Sequence, residues 1–385
     1  MTTLTEAKPE YRIPSMEEIR SVPWNGYKVI STFSGAGGSC LGFRMAGYRV
    51  LWANEFIPEA REVYKANHPN SILASDDIRQ INPEKMLEDL GIKKGEIDVL
   101  EGSPPCASFS SSGNLDEDWG KEKKYSSTVQ RTDDLFWEYA RLLNGLQPKV
   151  FVAENVSGLV RGKAKGYFKL IMKELKKCGY RVQAKLLDAQ WLGIPQVRKR
   201  VIFVGVRNDL KMDPVFPKPL PYRYLIKEVF DYMTMAKVSG KWQGTDRPSP
   251  TVSASTSYNP ETSTQGFELA ECDISRYAIG EEWSNIKEGE YSKKYFNLKK
   301  IDRNKPSYTI THTAGYVGAA GVVHHLEKRK LTIDEVRILC SFPKDFILIG
   351  TYQQKWERLG RSVPPLMMKA IAEAIRKGIL DKLNE

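Results

Sequence analysis

Through the first two hundred residues, short apolar runs alternate with stretches whose apolar residues recur at helical spacing. Lys28–Phe33, Arg49–Asn54, Ile97–Gly102, Lys149–Asn155, Arg181–Leu187 and Arg200–Val206 are rich in Val, Ile and Leu and read as strands. Helical patterns lie between the first five. Such alternation predicts an α/β fold, a doubly wound and mostly parallel sheet with helices on both faces. In such sheets ligands bind beyond the carboxyl ends of the strands, so the residues that follow each run are the ones to inspect.

Beyond Val206 the pattern changes. Proline rises in VFPKPLPYRY, Ser and Thr dominate SPTVSASTSYNPETST, and helical periodicity fades. A smaller, irregular, β-leaning domain is expected over residues 207–345, beside a main domain built from 1–206 and 346–385. RPSPTVSAS at 247–255 and KPSYTITHT at 305–313 echo one another, but two copies are too few for a solenoid. The tail VPPLMMKAIAEAIRKGIL opens on prolines and continues as a helix.

The 385 residues suffice for roughly two domains. With 41% hydrophobic and 27% charged residues, disordered and fibrous classes are unsuited. No apolar run reaches the ~20 residues of a membrane span, and the polar start is no secretory signal. Five scattered cysteines without a CxxC, and four histidines without an HExxH, argue against a disulfide framework and a metal site. A reduced, soluble, cytoplasmic protein is expected. The net charge of +11 suits a polyanionic partner. Gly158 to Arg200 alone holds twelve Lys or Arg against two acids, and a second basic cluster spans Lys293–Lys305. Within the first stretch, Phe168, Ile171, Met172 and Leu175 share one helical face, which leaves the lysines opposite as an ordinary solvated face.

Four strand ends carry candidate chemistry. FSGAGGSCLGF follows the first strand, where Gly35, Gly37 and Gly38 permit a tight turn and close backbone approach. It is not the dinucleotide GxGxxG, and alone it is equally a plain tight turn. The second strand ends in Asn54-Glu55-Phe56. An acid there suits ribose hydroxyls, and Phe56 either stacks on a base or joins the core. Asp77 of SDDI offers an acceptor to an adenine amino group. With no phosphate loop present, these features point to an adenosine-containing cofactor without phosphate chemistry. GSPPCASFS then presents Cys106 behind two prolines, a setting for a nucleophile rather than a packed thiol, whereas Cys40, Cys178 and Cys340 sit in apolar surroundings. Glu154 ends an apolar strand, where an unpaired carboxylate is costly. In QVRKR, Arg198 and Arg200 lie two apart and point to one side of an extended chain, suited to a carboxylate, a phosphate or a base.

The order FSGAGG, NEF, DDI, PPC, AEN, QVRKR, KPSYTIT, RKLTIDEVRILCSFPKDF and GRSVPP resembles the DNA cytosine-5 methyltransferases over about residues 27–380. The resemblance implies a Rossmann-like methyltransferase fold, a target-recognition region over 207–345, and S-adenosylmethionine as cofactor. Phe33, Ser34, Gly35, Ala36 and Gly37 would wrap that cofactor. Glu55 would meet its ribose, and Phe56, Asp77 and Ile78 its adenine, with Pro105, Arg361, Ser362 and Val363 alongside. Cys106 would attack carbon 6 of a cytosine flipped out of double-stranded DNA. Glu154 would hold the ring's N3 edge, Arg198 its carbonyl oxygen, and Arg200 would support. Residues 107–130 would form the mobile loop that closes over the base. The chain would act as a monomer, with or without a cognate restriction endonuclease.

One departure stands out. The family's last motif has Asn where this chain has Arg361. Three readings follow. Arg361 points away, or it disables the enzyme and leaves a DNA-binding relic, or it recognises a negative charge near the transferable group. The third implies carboxy-S-adenosylmethionine and 5-carboxymethylcytosine, because arginine pairs strongly with carboxylates. RNA cytosine modification is a further alternative, which the sizeable second domain disfavours. A nicotinamide dehydrogenase would have no use for PPC and QVRKR.

Overall fold

The computed structural model describes residues 8–105, 122–234 and 269–385. Its centre is a seven-stranded sheet of β1 (Lys28–Thr32), β2 (Arg49–Asn54), β3 (Ile72–Ala74), β4 (Val99–Gly102), β7 (Val150–Val156), β8 (Tyr180–Asp188) and β9 (Lys199–Arg207). A short hairpin, β5 (Lys123–Tyr125) and β6 (Thr128–Gln130), stands apart from it. The spatial order is β3-β2-β1-β4-β7-β9-β8. All pairings are parallel except those of β9, which runs antiparallel to both β7 and β8. The sheet is therefore mixed at one edge: β8 returns directly into β9 with no intervening α-helix.

Side chains alternate across each strand. Phe151, Ala153, Val201 and Phe203 face a core formed with α5 (Leu135–Leu146) and α6 (Lys165–Lys177). Val150, Val152, Ile202 and Val204 face the opposite core, with α2 (Gly38–Met45) and α11 (Pro365–Ile375). Burial on both faces is why these strands read as continuous apolar runs rather than as alternating ones. Gly42 lets α2 and α11 touch, since a Cβ there would sit 2.5 Å from Pro365 O. On α6, Tyr167, Ile171 and Leu175 are buried, Phe168 and Met172 partly so, and Lys165, Lys169, Lys173, Lys176 and Lys177 are exposed.

Segments from 222–230 and 301–346 pack with α1 (Met16–Ser21), α2 and α10 (Tyr352–Arg361) in a third core. Capping boxes start α1 at Ser15 with Glu18, α9 (Ile333–Leu339) at Thr332 with Glu335, and α10 at Thr351 with Gln354. A small outlying core gathers Ile274, Ile279, Ile286, Leu298 and Val323 around the two-residue pair β10 (Lys299–Lys300) and β11 (Val322–Val323). The basic segment 293–305 belongs here, and it is less free than its composition predicts. Lys300 is buried, donating to Trp283 O and Ile286 O; Arg303 pairs with Glu288 and Lys305 with Asp302.

Candidate functional site

Strand order reverses between β1 and β4, since β2 and β3 lie to one side and β7, β9 and β8 to the other. A cleft opens at that switch point, at the carboxyl ends of the strands. Its walls include Phe33, Ser34, Gly35, Ala36, Glu55, Phe56, Asp77, Ile78, Pro105, Arg361, Ser362 and Val363. Thus all the cofactor candidates but one converge on a single pocket from sequence positions more than three hundred apart. The exception is Gly37. Its φ of +87° is left-handed, and a Cβ there would lie 2.2 Å from His68 Nε2, so it turns the loop against a buried histidine instead.

The glycine-rich turn is fixed by its own backbone. Ser34 N–H donates to Asn54 O, and Gly37 N–H donates to Ser34 O. Gly35 N–H donates to Glu55 Oε2 at 2.6 Å, while Ile57 N–H donates to Oε1 at 2.7 Å. Glu55 is buried; burial pushes its pKa up, and the two backbone donors and nearby Arg358 oppose the rise. Asp77 is committed as well. It accepts from Arg79 N–H and pairs with the Arg79 guanidinium, which also reaches Asp134. Beneath the turn, Ser31 Oγ donates to buried Glu101 at 2.6 Å and lies 2.8 Å from Ser34 Oγ. Burial raises the Glu101 pKa to about 7, and nearby Glu154 adds to the rise.

Sequence reading missed part of the lining. Tyr125 and Ser126, at the turn of the β5–β6 hairpin, reach the pocket, as do Gln130 and Arg358. Residues 123–130 were expected to be irregular loop, and no periodicity in so short a hairpin could have revealed it. Arg358 is buried and donates to Ser126 Oγ at 2.6 Å. Arg361 donates from Nε to Glu357 at 2.8 Å, and its guanidinium lies 4.2 Å from the centre of the Tyr125 ring. Arg361 therefore lines the pocket as a partnered cation.

The strand ends next to this cleft hold the remaining candidates. Glu154, near the end of β7, is buried, and its Oε1 lies 2.7 Å from Arg200 Nε on β9. The antiparallel register makes this possible by pairing Val156 with Arg200 and Glu154 with Ile202. Asn155 donates to Pro104 O, tying this strand end to the proline pair before Cys106. Cys106 and the loop to residue 121 lie outside the described residues.

The two arginines lie in different surroundings. Arg198 is 1% exposed. It donates to Ile310 O, Gly360 O and Ser362 O at 2.9–3.1 Å, which spends its guanidinium on main-chain carbonyls. Its Nε is buried with no hydrogen-bond partner among the described residues, while Arg200 lies beside Glu154. Gln196, fully buried, makes a similar tie, donating to Leu339 O and accepting from Ile310 N–H. Described cysteines Cys40, Cys178, Cys272 and Cys340 are all buried thiols, with burial raising each pKa. Among the described residues no cluster of His, Cys, Asp or Glu has the makings of a metal site, and no helix is long and apolar enough to cross a membrane.

Comparison with known proteins shows the family. Residues 27–377 match the family model for C-5 cytosine-specific DNA methylases. Type II methyltransferase M.NgoPII of Neisseria gonorrhoeae is 31% identical over 368 residues, covering 94% of this chain and 99% of the relative. Type II methyltransferase M1.HphI of Haemophilus parahaemolyticus is 29% identical, covering 90% and 86%. Among solved structures, one described as a prophage-encoded DNA modification methyltransferase of E. coli superposes with a TM-score of 0.68 at 23% identity, covering 94% of this chain and all of that one. A DNMT2 mutant from Spodoptera frugiperda gives 0.59 at 17%, covering 89% and 98%. With its strand-end residues gathered at the switch point and the family match spanning nearly its whole length, the chain belongs to the C-5 cytosine-specific DNA methylase family.

Proposed function

We propose that this chain methylates carbon 5 of a cytosine flipped out of duplex DNA, using S-adenosylmethionine. The observation that carries the reading is the Glu154–Arg200 pair held next to the glycine-rich cofactor cleft. The cleft suits the cofactor on its own chemistry: a buried carboxylate at the end of β2, half-buried Phe56 and buried Ile78 as apolar surfaces, and polar main chain from the turn after β1. Bound there, S-adenosylmethionine supplies an electrophilic methyl group on a sulfonium. The Glu55 carboxylate would take ribose hydroxyls on its outward lone pairs, its inward ones being filled by Gly35 and Ile57. Asp77 is already bonded to Arg79, so the adenine edge would find it as an oriented acceptor rather than a free charge.

On the base side, Cys106 would add as thiolate to carbon 6, making carbon 5 nucleophilic. After carbon 5 gains the methyl group it loses its proton, and the thiolate leaves. Glu154 would hold the N3 edge, and Arg200 would orient Glu154 and reach the ring carbonyl. Pairing with Arg200 lowers the cost of a carboxylate at a strand end. Residues 207–345 would read the flanking base pairs; part of that region, 235–268, lies outside the described residues. Exposed Lys293 and Lys294 and the lysine face of α6 would meet backbone phosphates.

Carboxymethyl transfer from carboxy-S-adenosylmethionine is the second reading, favoured by the presence of Arg361 on the pocket wall. Its ion pair with Glu357 weakens that case, since the cation already has a carboxylate. A competition decides: duplex DNA is incubated with equal amounts of both cofactors, digested, and its nucleosides weighed. The expected product is 5-methylcytosine, absent with Cys106→Ala. A product that is mainly 5-carboxymethylcytosine would reverse the order of the two readings, and no modified cytosine from either cofactor would overturn both.

A further inference from the structure

At the opposite end of the sheet, beside the start of β2, lies a separate open cavity of about 470 Å³. Three arginines line it: Arg20 from the last turn of α1, Arg44 from α2, and Arg49, the first residue of β2. Among the described residues no carboxylate is on its walls. Arg49 stacks on Trp24 with its guanidinium carbon 4.2 Å from the ring centre, and Trp24 remains 44% exposed. Arg44 is half-buried; desolvation lowers its pKa, and Arg20 pushes the same way. Its Nη1 donates to Asn67 O and lies 3.3 Å from His68 Nδ1, which holds the side chain in place.

Gathering three like charges at one cavity, with one of them partly desolvated, raises the energy of the free protein. A bound anion lowers it. Arginine's planar fork matches phosphate oxygens bidentately, and an exposed indole offers a surface to a heterocycle. The cavity also falls within the size range of small-molecule sites, whereas a contact to a DNA backbone needs only an exposed ridge. We propose that this cavity binds a nucleoside diphosphate, its phosphates on Arg20, Arg44 and Arg49 and its base against Trp24. The site is distinct from the methyl-donor cleft and stands or falls independently of the function proposed for it.

The test is calorimetric titration of ADP into the full chain with the donor cleft first filled by S-adenosylhomocysteine, so that adenosine recognition there cannot contribute. Binding at about 1 mM or tighter is expected. The doubly substituted Arg20→Glu, Arg49→Glu chain should bind at least about tenfold more weakly, because two attractions become repulsions. Arg44 is left intact, since His68 connects it to the glycine-rich turn. Both substituted residues are exposed, so the thermal midpoint and methyl transfer without ADP should be unchanged. No binding of ADP, or equal affinity in the variant, would overturn the proposal. So would a variant that loses affinity for duplex DNA while the parent ignores ADP, because the arginines would then be contacting a phosphodiester backbone.

Discussion

At the carboxyl ends of β1, β2 and β7, Glu55 is held by the N–H groups of Gly35 and Ile57, Glu154 by Arg200, and Arg361 by Glu357. At the amino end of β2, Arg20, Arg44 and Arg49 gather with no carboxylate among the described residues. The same sheet thus carries a cleft in which Glu55, Glu154 and Arg361 each have a partner and a cavity whose arginines, among the described residues, meet no carboxylate. A satisfied cleft is preorganised: its selectivity rests on shape and directed hydrogen bonds, and its side chains stay put when a ligand leaves. An unsatisfied cavity gains most of its binding energy from the ligand's own charge, and salt should weaken it more.

Removing charges one at a time tests how complete the matching is. Arg198→Met should have the largest effect, destabilising the fold by about 4 kcal/mol in a denaturant titration, because three carbonyls lose their donor. If stability holds and only turnover falls, Arg198 faces the base after all. Glu154→Gln should fold normally and lose methyl transfer about 1,000-fold in single-turnover kinetics. A loss under about tenfold would remove Glu154 from the chemistry.

Glu101 has no cationic partner among the described residues: it is buried beneath the turn with hydroxyl donors and Glu154 nearby. Its folded pKa, about 7, lies above the unfolded value near 4.5. In that window the folded chain holds a proton that the unfolded chain has released, so this group's contribution to stability falls as pH rises from about 4.5 to 7. Glu101→Gln should remove that slope and gain up to about 3 kcal/mol over the parent at pH 8, with little difference at pH 4.5. Parallel pH profiles for the two chains would show the carboxyl to be matched by something else. The smallest effect is expected of Arg361→Asn. An ion pair this near solvent contributes about 1 kcal/mol or less, so the KM for S-adenosylmethionine should move by no more than about fivefold. A switch of preference between the two cofactors would instead make Arg361 a specificity residue.

The sheet was largely legible because both its faces are buried, and buried parallel strands leave continuous apolar runs. The antiparallel insertion of β9 was not, since a strand's direction leaves no trace in its own residues. Glu55 was legible as an acid at the end of β2, whereas Ser34 and Pro105 entered only through the family resemblance. The period of two put Arg198 and Arg200 on one side of an extended chain, although β9 begins only at Lys199. Which of them is buried depends on segments 305–313 and 360–362 packing over that side, and such long-range packing has no local signature. Tyr125 and Ser126 enter the cleft from a hairpin too short to show a period. Of the sequence echo between 247–255 and 305–313, the first copy lies outside the described residues.

Arg198 also limits how this enzyme could be recombined. Its three carbonyl partners belong to the segment before residue 313 and to the end of α10, so one side chain fastens that segment to the closing GRSVPP motif. Ser307 adds a second stitch, donating from its N–H to Pro195 O and accepting from Val197 N–H. A chimaera made to redirect sequence specificity should therefore place its downstream junction before residue 305. There the recipient keeps both halves of the clasp, and the transplanted module arrives as a cassette rather than as a torn seam.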